Sequence, residues 1–235
     1  MTDKPILFSG PMVRAILEGR KTQTRRALKP QPCPTSLFVQ TAAGTTYDAG
    51  KGRPFGHVSY APGDRLWVRE NHSWPASWDA DNPVSKMGHI WYPAGRPALG
   101  RVSDYPKPAD HGKVRSSRYM PRWASRLTLT VTDVRVQRLQ EISERDARAE
   151  GCEDEPMYPE LGTTVHAFRD LWDSLNAKPK PVGGKITTHY VSYPWAGEQR
   201  TETHRGKPHH IYPNPWVSAT TFTAHRCNID QMGGA

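Results

Sequence analysis

The chain has 235 residues, room for one large domain or two small ones. With 22 Pro, 19 Gly and a mean hydropathy of −0.74, much of it must be loop, yet eight Trp, nine Tyr and five Phe exclude a disordered chain. The net charge of +9 favours anionic partners such as nucleic acid or nucleotides, or serves solubility, and no run approaches the roughly 20 apolar residues that span a bilayer.

In chain order, Pro5-Ile6-Leu7-Phe8 reads as a first strand. Gly10-Pro11 then starts a helix, with proline at the first helical position, where its missing N–H costs nothing. Met12, Val13, Ile16 and Leu17 share one face of that helix, and Gly19 stops it by accepting a left-handed conformation. The basic run Arg20-Lys21-Thr22-Gln23-Thr24-Arg25-Arg26 follows.

Residues 29–62 lack a sustained period and read as an insertion. Pro62-Gly63-Asp64 turns into the strand Arg65-Leu66-Trp67-Val68. Residues 71–118 form a second insertion, rich in Pro, Gly, Trp and Tyr. So many aromatics predict a loop that packs on something.

The clearest strand is 127–136, where Leu127, Leu129 and Val131 alternate with Thr128, Thr130 and Thr132. Ser143 caps a short helix, with Asp146 three residues on, Ile142 and Ala147 placed as a staple, and Gly151 as the stop. A third helix covers 164–175, with Val165, Phe168, Trp172 and Leu175 inward and Arg169, Asp170 and Asp173 outward. A third insertion spans 176–215, and 217–224 is the closing strand. Strands separated by short helices predict an α+β fold built on a small, mostly antiparallel barrel.

Cys33, Cys152 and Cys227 lack C-x-x-C spacing and read as reduced thiols. His209-His210 reads as a solvated loop pair, and no ligand pattern for a metal or motif for a cofactor is legible. The first residues carry no apolar signal region, so the expected location is cytoplasmic.

The run after Gly19 resembles the signature of the ASCH family, whose fold is a PUA-like barrel. Gly19, Lys21 and Arg26 fit the family pattern. Most members have glutamate where this chain has Thr24. The version G-R-K-T-x-T-x-R, which this chain matches, resembles that of the small bacterial N4-acetylcytidine amidohydrolases. The resemblance covers four islands, 5–26, 62–70, 127–151 and 216–224. The longer segments, including Tyr119–Arg126, are similar to larger phage-encoded ASCH-like proteins. It implies one ASCH domain over residues 1–235, a Thr24 nucleophile, a Lys21 base, a Glu150 acid/base and a small nucleoside substrate.

That chemistry is coherent. A threonine hydroxyl needs a base beside it, and a lysine serves as base only when neutral, a state that burial and like charges such as Arg20, Arg25 and Arg26 favour. Glu150 delivering a proton to the leaving amine completes the roles. Residues 21 and 24 would point to opposite faces of a regular strand, so the segment must turn or bulge after Gly19. Phe8, Trp67 and Trp123 are candidates to stack on a pyrimidine, although each also suits core packing. Arg26 is a candidate to hold the site wall or contact the substrate, and Glu70 is an alternative carboxylate. The competing reading is a PUA-like nucleic-acid-binding module of phage origin without catalysis.

Overall fold

The computed structural model describes residues 2–29, 31, 38–40, 46–48, 53–54, 58–75, 90–95, 107–153, 164–177, 190–204 and 206–232. Its strands are β1 (Asp3–Leu7), β2 (Gln23–Ala27), β3 (Phe38–Gln40), β4 (Thr46–Asp48), β5 (Arg53–Pro54), β6 (Arg65–Arg69), β7 (Thr128–Arg138), β8 (Tyr190–Ser192), β9 (Arg200–His204), β10 (Lys207–Ile211) and β11 (Trp216–His225). Its helices are α1 (Gly10–Leu17), α2 (Glu144–Ala149) and α3 (Thr164–Asn176). The fold is α+β. Its largest sheet has five strands in the order β1-β6-β7-β11-β2, with β1 parallel to β6 and β6 antiparallel to β7. Two three-stranded sheets accompany it, β8-β10-β9 and β3-β4-β5. Among the described residues no helix is long and apolar enough to cross a membrane.

The chain groups into two discontinuous units. The first comprises residues 1–22, 62–132 and 221–235, and the second residues 23–61 and 133–220.

In the first unit the predicted Pro62-Gly63-Asp64 turn forms as expected. Gly63 takes φ +86°, and its N–H and the Asp64 carbonyl bond to Val131 at 2.8 and 2.9 Å. The buried Asp64 carboxylate accepts from Thr2 Oγ1 at 2.6 Å and Lys4 Nζ at 2.7 Å, tying β1 beside β6. Alternation does the rest: Leu66, Val68, Leu129 and Val131 are buried, with Leu66 opposite Leu129. Helix α1 starts at Gly10-Pro11 and buries Val13, Ala15, Ile16 and Leu17. It ends as the glycine predicted. Gly19 sits at φ +78°, its N–H reaches the Ile16 carbonyl at 3.0 Å, and the Arg20 N–H reaches the Ala15 carbonyl at 2.9 Å, a Schellman closure. The segment 71–118 is tied back on itself by bridges pairing His72 with Arg115, Ser73 with Trp91 and Pro75 with His111.

In the second unit the core cluster is Leu139, Ile142, Ala147, Phe168, Trp172, Tyr193 and Val217. Ser143 caps α2 by accepting from the Asp146 N–H at 3.1 Å, and Gly151 closes the helix at φ +86°. Helix α3 buries Phe168 and Trp172, with the indole N–H donating to the Tyr193 carbonyl at 2.7 Å. Asp173 differs from expectation, since its carboxylate is occupied by the Trp195 N–H at 2.7 Å.

The insertions hold more structure than their composition predicts. Strands β3 to β5 lie in the first, and β8 to β10 in the third. His209-His210 is no loop pair. Both residues lie on β10, whose two-residue period turns His209 inward to 1% exposure and leaves His210 half-buried, with Thr201 Oγ1 3.1 Å from its Nδ1. Cys33 lies outside the described residues, whereas Cys152 and Cys227 are reduced thiols, as read.

Candidate functional site

In the first unit, Lys21 follows the Schellman closure directly. Its N–H is the next donor to the Ala15 carbonyl, at 3.0 Å, so the chain turns here, as the spacing of Lys21 and Thr24 requires. The side chain is 1% exposed, and its Nζ stands 5.8 Å from the centre of the Phe8 ring. Phe8 is itself buried and lies 6.4 Å from the Phe222 ring. The structure thus brings Lys21 and Phe8 together, with the lysine nitrogen over an aromatic face.

Glu70 sits just beyond the end of β6 and is buried at 1% exposure. It accepts two hydrogen bonds from Arg126, Nε to Oε1 at 2.8 Å and Nη2 to Oε2 at 3.0 Å. Burial pushes its carboxyl above the usual range, with the Arg126 cation pulling the other way. The Arg126 guanidinium also lies 4.2 Å from the centre of the Tyr92 ring. His72 is fully buried. Its Nδ1 is 3.2 Å from the Glu70 carbonyl, and its Nε2 has no hydrogen-bond partner among the described residues. Trp74 stands between rings, 4.9 Å from His72 and 6.3 Å from Trp123. Trp67 is half-buried, with the Arg69 guanidinium 5.3 Å from its ring centre.

In the second unit, β2 does not alternate. Gln23, Thr24 and Arg25 are all buried in succession, while Arg26 is exposed. The Arg25 side chain has no exposure and donates to Asp146 at 2.8 Å and Glu150 at 3.2 Å, with Gln23 as a further acceptor. Its guanidinium stands 5.9 Å from the centre of the Phe168 ring. Glu150 is therefore brought to Arg25, which the spacing alone presents merely as one more cation near Lys21. Asp146 on α2 and Glu150 at its C-cap are four residues apart, so one side chain can reach both. Burial alone would raise the Asp146 carboxyl, but Arg25 and Arg135 outweigh it and hold the group below the usual range. Tyr60 is pushed up by burial, opposed by the Arg26 charge.

The eight candidates therefore divide by unit: Phe8, Lys21, Trp67, Glu70 and Trp123 in the first, and Thr24, Arg26 and Glu150 in the second. The residues that sequence reasoning missed are Arg25 as a carboxylate clamp, Arg126, His72 and Tyr92. Only Arg25 left a signal, the i, i+4 acidic pair at the end of α2, Asp146 and Glu150, that waits for a cation.

A search of family models, curated proteins and solved structures finds no match to this chain.

Proposed function

We propose that the protein is an N4-acylcytidine amidohydrolase on an ASCH, PUA-like scaffold forming one domain. The observation that carries this reading is the burial of the central cations of the basic run. Lys21 is 1% and Arg25 6% exposed, whereas only Arg20 and Arg26 face solvent. Cations that serve a phosphate backbone keep their donors at the surface, so the burial of these two favours a role inside the protein, such as chemistry by Lys21, over nucleic-acid binding.

In the proposed reaction the Thr24 hydroxyl oxygen attacks the acyl carbonyl carbon, and the neutral Lys21 amine takes the hydroxyl proton. The C–N bond to the cytosine N4 then breaks, and Glu150 in its acid form delivers a proton to the departing amine. Glu150, now a carboxylate, takes a proton from water as the water oxygen attacks the threonine ester. Lys21 returns its proton to the departing Thr24 oxygen, which releases the carboxylic acid and restores the hydroxyl, the amine and the acid form of Glu150. Arg25 holds Glu150 in place. Arg26 and Glu70, with Phe8, Trp67 and Trp123 as aromatic partners, are the proposed substrate-side residues. The reaction calls for no cofactor, and the protein is proposed to act in the cytoplasm.

The experiment is ultraviolet monitoring of N4-acetylcytidine with the parent protein and Lys21→Arg. Arginine keeps charge and reach but cannot act as a base near neutral pH. The reading expects loss of the acylated-cytosine band with the parent and a drop of about two orders of magnitude or more in the variant. A folded Lys21→Arg that hydrolyses at the parent rate removes Lys21 from the mechanism.

A further inference from the structure

The first unit contains a cavity of about 170 Å³ that none of Lys21, Thr24 and Glu150 lines. Its walls include Tyr92, Trp123, Arg126, Arg226, Asn228 and Gln231. Among the described residues two aromatic rings and two arginines line it, and no carboxylate does.

The two arginines differ. Arg126 is neutralised from behind by Glu70, spends a further N–H on the Gly95 carbonyl at 2.7 Å, and lies over Tyr92. It is fixed and already paired. Arg226 is exposed and makes one hydrogen bond among the described residues, Nη2 to the Leu17 carbonyl at 2.6 Å. A guanidinium carries five N–H donors, so most of those of Arg226 face a ligand or water. Gln231 turns its Oε1 to the Asn228 N–H at 3.4 Å, which leaves its amide –NH₂ as a second donor at the exposed edge. Asn228 spends its own –NH₂ on the Arg122, Trp123 and Ser125 carbonyls and holds the wall in shape.

The lining is thus aromatic on its sides and rich in donors at its mouth, with one positive charge that no carboxylate among the described residues pairs. Its volume falls below the roughly 300 Å³ at which pockets for drug-sized ligands begin, so it admits one ring and not two. We infer that this cavity is a binding site for a monocyclic aromatic anion, its ring between Trp123 and the Tyr92–Arg126 pair and its carboxylate or phosphate on Arg226 and Gln231. The inference shares Trp123 with the amidohydrolase reading but does not rest on that reading.

The test is calorimetric titration of the full chain with benzoate, phenyl phosphate, neutral benzyl alcohol and the two-ring 2-naphthoate. Benzoate or phenyl phosphate should bind saturably and at least about tenfold more tightly than the other two, the better of them showing which anion the site takes. Arg226→Gln, a change at an exposed position, should weaken the anions about tenfold and leave benzyl alcohol unchanged, and Trp123→Ala should weaken all three one-ring ligands. Thr24→Ala should bind the anions as the parent does. The assignment is overturned by no saturable binding up to about 10 mM, a range that would already detect the weakest specific sites, or by Arg226→Gln binding benzoate like the parent. Loss of binding in Thr24→Ala would also overturn it, by moving the anion to the reactive threonine.

Discussion

Glu70 and Arg126, 56 residues apart in the chain, meet in a two-point ion pair whose carboxylate is almost fully buried. Removing one partner of such a pair leaves an uncompensated charge, so Arg126→Ala should lose about 3–5 kcal/mol of stability. The pH dependence has a definite sign. A carboxyl raised by burial stabilises the fold below its unfolded value, and that contribution is lost as pH rises through the folded value. Without Arg126 the carboxyl rises further. Urea denaturation should therefore show a larger deficit at about pH 8 than at about pH 5, and an equal deficit at both would contradict this account.

Arg25 gives the opposite sign. Asp146 is held low by Arg25 and Arg135, so its contribution is present above the unfolded value and is lost as pH falls through the folded one. Arg25→Met should cost about 3 kcal/mol at neutral pH, with the deficit shrinking below about pH 4 as Asp146 takes up its proton. Chemical denaturation from pH 3 to 7 reads the convergence directly.

His72 tests whether a buried ring is merely tolerated. Burial pushes its imidazole below the usual histidine range, assisted by the Arg115 and Arg69 charges and opposed by the hydrogen bond to the Glu70 carbonyl. The folded protein thus binds this proton less well than the unfolded chain, and stability is lost as pH falls through about 6.5. His72→Leu removes that liability together with an unsatisfied nitrogen. Its melting temperature relative to the parent should improve on going from about pH 7.5 to about pH 5, and a constant difference would refute the argument.

In the proposed mechanism Lys21 and Thr24 act as one unit, and they should then fail as one unit. Thr24→Ala should lose activity about as severely as Lys21→Arg, and the double variant should be little worse than either. Additive losses in single-turnover assays would show that the two side chains work separately.

Gly19 offers a backbone test free of side-chain packing. A Cβ there meets nothing within 4 Å, so the cost of Gly19→Ala comes from φ +78° alone, about 1–2 kcal/mol. Because Lys21 hangs from the same Ala15 carbonyl as the closure, activity should fall more than that stability loss explains. Activity unchanged in a folded Gly19→Ala would separate the closure from the lysine's placement.

Local rules made much of the framework readable. Pro11 and Gly19 marked both ends of α1, Ser143 and Gly151 both ends of α2, and the Leu-Thr alternation marked β7. The site candidates came from a short run and its resemblance to a family. What stayed hidden depends on distance or on polar strands. Arg25 meets Glu150 across 125 residues, which no local pattern encodes. Strands β9 and β10 are written Arg-Thr-Glu-Thr-His and Lys-Pro-His-His-Ile, so their period of two is carried by polar residues that hydrophobic patterning cannot register. Burial of His209 was invisible for the same reason.

The position of β11 in the large sheet governs how this chain must be made. β11 is the last strand in sequence yet lies between β7 and β2 in the ladder. During synthesis β2 therefore has no strand to pair with until the chain has emerged through His225, and its buried polar run waits unpaired on the ribosome. A ladder closed by such a late insertion carries a high loop-closure cost before any reward, the condition for slow folding. Neither unit is a continuous stretch of sequence, so neither can be excised as a fragment. Truncations before β11 should accumulate as aggregation-prone or chaperone-bound chains and not as a smaller working protein.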